Sequence, residues 1–258
     1  MFRLDDKVVA VIGAGGGIGE AVAHGAARQG ARVFCLDLAA PPVSGTAERI
    51  RQAGGSAEAG VVDVTDAEQL DATLKYVARE GGRLDALVCT PGINVRKKLL
   101  DYTEDEFDKV VRLNLKGTFN ALRSAGAIMT VQGSGSIVIF SSIRSQVVEP
   151  GQSVYAATKA GIIQLVRGAA CEFGPSVRVN AIGPGIVETP LTAPVRANED
   201  WYNAYASKNI LKRWALPDEM AGPTLFLISD AASYVTGTIL FADGGWLAAD
   251  GRFTPPGM

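Results

Sequence analysis

Residues 7–38, KVVAVIGAGGGIGEAVAHGAARQGARVFCLDL, constrain this chain more than any other stretch. Residues 8–12 are a short apolar run rich in β-branched side chains, and Gly13, Gly15, Gly16, Gly17 and Gly19 follow within seven positions. Ile18, Val22 and Ala26 then recur at helical spacing, with Ala23 and Ala27 widening the apolar face. Residues 32–36 make a second strand candidate, closed by Asp37. A right-handed crossover sets such strands side by side and parallel, with the turn at their carboxyl edge. The helix after the turn points free N–H groups and its positive dipole end at that edge, where a pyrophosphate can sit. Glycine is needed there because a side chain would hold the phosphate away from the backbone.

The alternation continues down the chain. Helical patterns over 44–53, 66–80, 103–131 and 153–173 are interleaved with strand-like runs at 57–62, 84–88, 137–140 and 177–181. Thr103 followed by Glu106 is a capping-box pattern. Strands alternating with helices predict a parallel sheet covered on both faces. With 258 residues, 47% hydrophobic content and no linker or repeat, the expectation is one α/β domain over 1–258.

Composition closes off several function classes. Net charge is −2 and the 25 basic residues are dispersed, so neither nucleic acid nor an anionic membrane is an expected partner. No apolar run reaches the roughly 18 residues of a membrane span, and MFRLDDK lacks a signal-peptide core, which points to the cytoplasm. Cys35, Cys89 and Cys171 are odd in number and far apart; Cys35 and Cys89 end strand-like runs and read as buried free thiols. His24 is the single histidine and reads as structural. Without a second histidine, neither a Ser-His-Asp hydrolase nor a histidine-rich metal site is expected, and no metal is assigned.

The glycine spacing is G-x-x-x-G-x-G through Gly13, Gly17 and Gly19; a G-x-G-x-x-G from Gly13 fails because Ile18 holds its sixth position. Farther on, Asn114 lies in Asn-Leu-Lys-Gly, Ser142 precedes Tyr155 by 13 positions, and Tyr155-Ala-Ala-Thr-Lys159 puts a phenol and an ammonium on one helix face. With Asn180, Pro184-Gly185, Glu188-Thr189 and Asp243-Gly-Gly245, these segments resemble the short-chain dehydrogenase/reductase superfamily over about residues 5–247. The resemblance implies a single-domain Rossmann fold: a seven-stranded parallel sheet in order 3-2-1-4-5-6-7, helices on both faces, the seventh strand at 238–241. It also implies a set of catalytic residues, Asn114, Ser142, Tyr155 and Lys159. The implied cofactor contacts are Gly13, Gly17, Ile18, Gly19, Asp37, Asp63, Val64, Gly92, Tyr155, Lys159, Pro184, Gly185, Val187 and Thr189. Two departures stand out. Ile12 replaces the usual threonine before the first glycine, and Thr90-Pro91-Gly92 keeps only the glycine of Asn-Ala-Gly.

These residues suit hydride transfer between a secondary alcohol and a ketone. Tyr155 would exchange the proton with the substrate oxygen and Ser142 would orient that oxygen. Lys159, with the positive nicotinamide, would lower the tyrosine pKa and bind the ribose, while Asn114 would support a water leading to solvent. Asp37, 18 positions beyond Gly19, would accept bonds from ribose hydroxyls and repel a 2′-phosphate, so NAD(H) is the expected cofactor.

The substrate is less constrained. Residues 92–107, with Arg96-Lys97-Lys98, resemble gluconate 5-dehydrogenase-type sugar-acid dehydrogenases, and Arg144, Gln146, Glu149 and Gln152 would line a polar pocket. A polyol or sugar acid is the first reading. A 3-oxoacyl thioester or other ketone is the second, and a non-catalytic dinucleotide sensor the alternative of another class. Residues 190–214 read as irregular, with Trp201, Tyr202, Tyr205 and Trp214 interleaved with polar groups, and suit either a substrate lid or a helix pair packing its aromatics into a satellite core. Pairing of the helices at 103–131 and 153–173, common in the superfamily, implies a homotetramer, with a dimer as the second reading.

Overall fold

The structure, a computed structural model, describes residues 2–248; the ends of the expected 1–258 unit, Met1 and 249–258, lie outside the described residues. Seven strands form one sheet: β1 (Val8–Ile12), β2 (Arg32–Asp37), β3 (Ser56–Val61), β4 (Ala86–Cys89), β5 (Gly135–Phe140), β6 (Val177–Pro184) and β7 (Ile239–Ala242). Their order is β3-β2-β1-β4-β5-β6-β7, and every pairing is parallel. The sequence-based order is the one observed.

Side chains alternate between the two faces of a strand, so a continuous apolar run such as Val8–Ile12 buries both. Val8, Ala10 and Ile12 join Leu87, Ile137 and Ile139 in one core layer, while Val9 and Val11 join Val88 and Val138 in the other. The first layer is covered by α3 (Ala67–Gly81), α5 (Gly117–Gln132) and α6 (Ser153–Phe173), through Leu74, Ala121 and Ile162 among others. The second is covered by α1 (Gly17–Arg28), α2 (Ala40–Gln52) and α9 (Ala221–Ile228), through Val22, Ala47 and Leu227. The remaining helices are α4 (Glu104–Val111), α7 (Ala193–Arg196) and α8 (Glu199–Lys208).

Three expectations are corrected. Helix α2 begins at Ala40 rather than 44, with Pro41 and Pro42 inside its first turn. Proline is tolerated there because the first N–H groups of a helix have no intrahelical partner in any case. The helix expected over 103–131 is divided: α4 carries the Thr103–Glu106 capping box, a wide turn of π-helix follows at Arg112–Lys116, and α5 resumes at Gly117. Residues 190–214 are not irregular but contain α7 and α8.

Candidate active site

The carboxyl ends of β1 to β4 open onto a cavity of about 470 Å³ lined by the glycine turn, Asp37, Asp63, Val64, Thr90, Gly92 and Thr189. Gly13, Gly17, Ile18 and Gly19 all border it, so nine of the expected cofactor contacts share one cleft. Gly13 and Gly17 have φ of +89° and +55°, the left-handed region. A Cβ on Gly19 would overlap the Gly13 carbonyl, so only glycine lets α1 start this close to β1. A Cβ on Gly16 would meet nothing within 4 Å, which leaves the helix N-terminus open to an incoming phosphate. This backbone cradle fits a dinucleotide.

The two sequence departures meet at the turn. The Thr90 hydroxyl donates to the Ile12 carbonyl at 3.0 Å, alongside the ladder bond from the Thr90 N–H at 3.1 Å. Its oxygen also abuts the space above Gly13 and Gly19. A hydroxyl just past the end of β4 thus holds the turn that a hydroxyl at position 12 would otherwise hold. Sequence reasoning flagged both positions but did not connect them, because they are 78 residues apart.

Ser142 follows β5, and Tyr155 and Lys159 lie one turn apart on α6 with all three side chains buried. The Lys159 ammonium donates to the Phe140 carbonyl at 2.9 Å and lies 5.6 Å from the Tyr155 ring centre. Burial lowers the Lys159 amine to about 8. Burial also raises the Tyr155 phenol above its ordinary value, against the opposing influence of the Ser142 hydroxyl and the Arg144 charge. The protein by itself therefore does not deliver the lowered tyrosine pKa expected from the sequence, and its nearby cationic influence is Arg144. The π turn at Arg112–Lys116 carries Asn114, which is fully buried. Its side chain accepts from the Ile93 N–H and donates to the Ile93 carbonyl, both at 2.9 Å, and donates to the Thr158 hydroxyl at 3.1 Å. Asn114 is thus engaged as a clamp between the loop after β4 and α6. Gly92 is squeezed beside it, since a Cβ there would lie 3.2 Å from the Lys159 ammonium nitrogen.

A second cavity of about 200 Å³ adjoins the first at Leu191 and holds Ser142 and Tyr155. Its polar walls are Asn94, Arg96, Arg144 and Gln152; Trp201, Tyr205 and Trp246 border it beside the two arginines, and Ile143, Ile186, Leu191 and Val195 add apolar lining. Gly185 lines this cavity, whereas Pro184 and Val187 are buried behind it and Lys159 borders neither space. Gln146 is exposed and Glu149 stands behind the arginines, so neither lines the pocket as the sequence suggested. Lys97 pairs with Glu106 rather than facing the site. Tyr202 stacks on Trp214 at 5.0 Å, and Tyr205 packs with Trp214 and Trp246 in a satellite core. The same helix therefore packs its aromatics and borders the pocket. Trp246, next to Asp243-Gly-Gly245, is a pocket residue that sequence reasoning missed. Cys35 and Cys89 are buried free thiols held up near about 12, Cys171 is exposed, and no metal-binding cluster exists among the described residues.

Two tests follow from this geometry. Thr90→Val removes one hydroxyl bond at nearly constant volume and should weaken dinucleotide binding roughly fivefold, with kcat little changed, as measured by titration calorimetry. An unchanged Kd would remove Thr90 as the support of the turn. Lys159→Met tests the cost of burying the ammonium. The folded value near 8 lies below the ordinary 10.5, so between these pH values the unfolded chain binds a proton that the folded one lacks, and this group's contribution to stability rises with pH. The variant should melt a few degrees above the parent at pH 7, and the gap should narrow by pH 9.5. A pH-independent gap would contradict this.

The family model described as Enoyl-(Acyl carrier protein) reductase matches residues 13–247. A 3-oxoacyl-(acyl-carrier-protein) reductase of Thermotoga maritima is 37% identical over 247 residues, 95% of this chain and 99% of the relative. Among solved structures, a Beutenbergia cavernae protein provisionally assigned as an NAD(P)-dependent gluconate 5-dehydrogenase, with NADP at low occupancy, is 39% identical with TM-score 0.92 over 96% of this chain and 99% of that one. A gluconate 5-dehydrogenase from Burkholderia cenocepacia, in complex with NADP and tartrate, is 31% identical with TM-score 0.93 over 96% and 98%. These bound NADP molecules overturn the expectation of NAD as the cofactor. The repulsion argument assumed a bare carboxylate, yet Asp37 accepts from the Gly15 N–H at 2.8 Å and the Leu38 N–H at 2.7 Å. Backbone dipoles already offset part of its charge. No helix among the described residues is long and apolar enough to cross a membrane. The chain belongs to the short-chain dehydrogenase/reductase family, as an NAD(P)-dependent oxidoreductase acting on CH–OH groups.

Proposed function

We propose that this enzyme interconverts a secondary alcohol and a ketone on a small polyol or sugar acid, with Tyr155 as the acid/base, Ser142, Lys159 and Asn114 as its partners, and NADP(H) accepted as cofactor. The observation that carries the substrate class is the pocket wall. Arg96, Arg144, Asn94 and Gln152 face the cavity that also holds Ser142 and Tyr155. Two guanidiniums and two amides offer many donors to hydroxyl and carboxylate oxygens, beside an apolar lining of Ile143, Ile186, Leu191, Val195, Trp201 and Trp246 that a carbon skeleton can rest on. The gluconate 5-dehydrogenase likeness supports the same reading. The Thermotoga relative favours the second reading, a 3-oxoacyl thioester reductase.

In this reading the bound dinucleotide supplies the hydride acceptor or donor at the substrate carbon. Tyr155 takes the hydroxyl proton during oxidation and returns it during reduction. Ser142 hydrogen-bonds the same oxygen and fixes its distance from the phenol. Lys159 keeps a positive charge near the phenolate side of that exchange, and Asn114 holds the Ile93 loop and α6 in register around it. Residues 190–214 cover the pocket and keep water from the reacting carbon. Cofactor contact runs through the glycine turn, Asp37, Asp63, Val64, Gly92, Gly185 and Thr189.

A panel of sugar acids, neutral polyols and acetoacetyl-CoA, followed by nicotinamide absorbance with NADP(H), separates the readings. Sugar acids or polyols should give the highest kcat/KM, and a preference for the thioester would select the second reading. Tyr155→Phe should lower kcat about a hundredfold or more while dinucleotide Kd stays within about twofold. Retention of more than roughly a tenth of the parent rate would remove Tyr155 as the proton carrier.

The chain is also proposed to assemble as a homotetramer. Phe107 and Phe119 are about half exposed on α4 and α5, and Val131 is nearly fully exposed. Apolar surface on helices flanking the cleft supports a two-fold pairing there. Light scattering at micromolar concentration should give four times the chain mass, and a monomer would contradict it.

A further inference from the structure

Behind the pocket wall lies a carboxylate, Glu149, that the chemistry above does not use. Glu149 accepts from four donors on three segments: Arg96 after β4, Arg144 and Gln152 beside its own loop, and Tyr205 on α8. One carboxylate oxygen serves Arg144; the other serves Arg96, Tyr205 and Gln152, the last at 2.6 Å. Arg144 is only 7% exposed and Gln152 only 4%, so both depend on this partner for their charge or amide. Arg96 also contacts the Tyr205 hydroxyl at 3.3 Å and sits 4.8 Å over the Trp201 ring, and Arg144 sits 5.5 Å over Trp246. Glu149 itself does not border the cavity that holds Ser142 and Tyr155, whereas Arg96, Arg144, Gln152 and Tyr205 all do.

We propose that Glu149 is a positioning residue that locks α8 against the two pocket arginines and so sets the shape and donor array presented to the substrate. A neutral side chain at this place cannot bind two guanidiniums and a phenol together, because the charge of the carboxylate holds the array. Without it, Arg96 and Arg144 repel one another and turn toward solvent, and Tyr205 loses its anchor. The dinucleotide cleft, built from β1–β4 and the glycine turn, contains none of these residues and is left as it was. The proposal rests on residues 190–214 covering the pocket.

The cluster carries its own probe. The chain's three tryptophans, Trp201, Trp214 and Trp246, all pack around Tyr205. Acrylamide quenching of tryptophan fluorescence therefore reads how tightly α8 is held, without knowledge of the substrate. Glu149→Gln should raise the quenching constant about twofold and the KM of the best substrate from the panel about tenfold, with kcat lowered less and NADP(H) affinity within about twofold. Tyr205→Phe, which keeps the ion pairs, should move both readouts in the same direction by less. Unchanged quenching in both variants overturns the lock. Raised quenching with unchanged KM overturns the positioning role and counts against the pocket-cover reading. A parallel loss of NADP(H) affinity would mark a general structural defect and also overturn the proposal.

Discussion

The proposed chemistry depends on an ammonium and a phenol buried together at the carboxyl edge of the sheet. Desolvation disfavours the charged form of each, so the Lys159 amine falls to about 8 while the Tyr155 phenol rises. The two shifts oppose the ion pair that proton exchange requires. Groups at the rim act against them: the Ser142 hydroxyl and the Arg144 charge favour the phenolate, and the Phe140 carbonyl receives the ammonium. A further positive charge beside the phenol would act in the same direction as Arg144, toward the phenolate.

That arrangement is available only because backbone passes close to backbone elsewhere. The start of α1 approaches β1 so closely that a Cβ at Gly19 would overlap the Gly13 carbonyl. The Thr90 hydroxyl then ties the turn to β4, and Asn114, presented by a wide π turn, ties the next loop to α6. Each tie crosses between neighbouring segments at the sheet edge. The cleft at the glycine turn and helix α6 are therefore fixed relative to one another by side-chain hydrogen bonds as well as by apolar packing.

Much of this was legible in the sequence, for physical reasons. Strands buried on both faces are apolar runs, and the family resemblance carried by the glycine spacing and the Ser142–Tyr155–Lys159 spacing implies the strand order and the candidate site. What escaped was set by partners far away in the chain or by backbone geometry. The start of α2 was hidden by Pro41 and Pro42, which suit a first turn but read as breakers. The π turn was invisible because apolar periodicity does not distinguish it from an ordinary helix. The cofactor preference failed because sequence shows the Asp37 carboxylate but not the two N–H groups that already engage it. Glu149 read as a pocket residue because its loop position was clear, while Arg96 and Tyr205, 53 and 56 residues away, were not known to meet it.

The most direct measurement of the central claim is the titration of the Tyr155 phenol itself, followed by NMR with ring-labelled tyrosine and with Tyr155→Phe to assign the signal. In the protein alone the phenol should titrate above the ordinary tyrosine value of 10, as burial dictates. Addition of NADP⁺, which brings a positive ring beside the buried pair, should lower it. A phenol already ionised at neutral pH in the protein alone, or one unmoved by NADP⁺, would contradict this account.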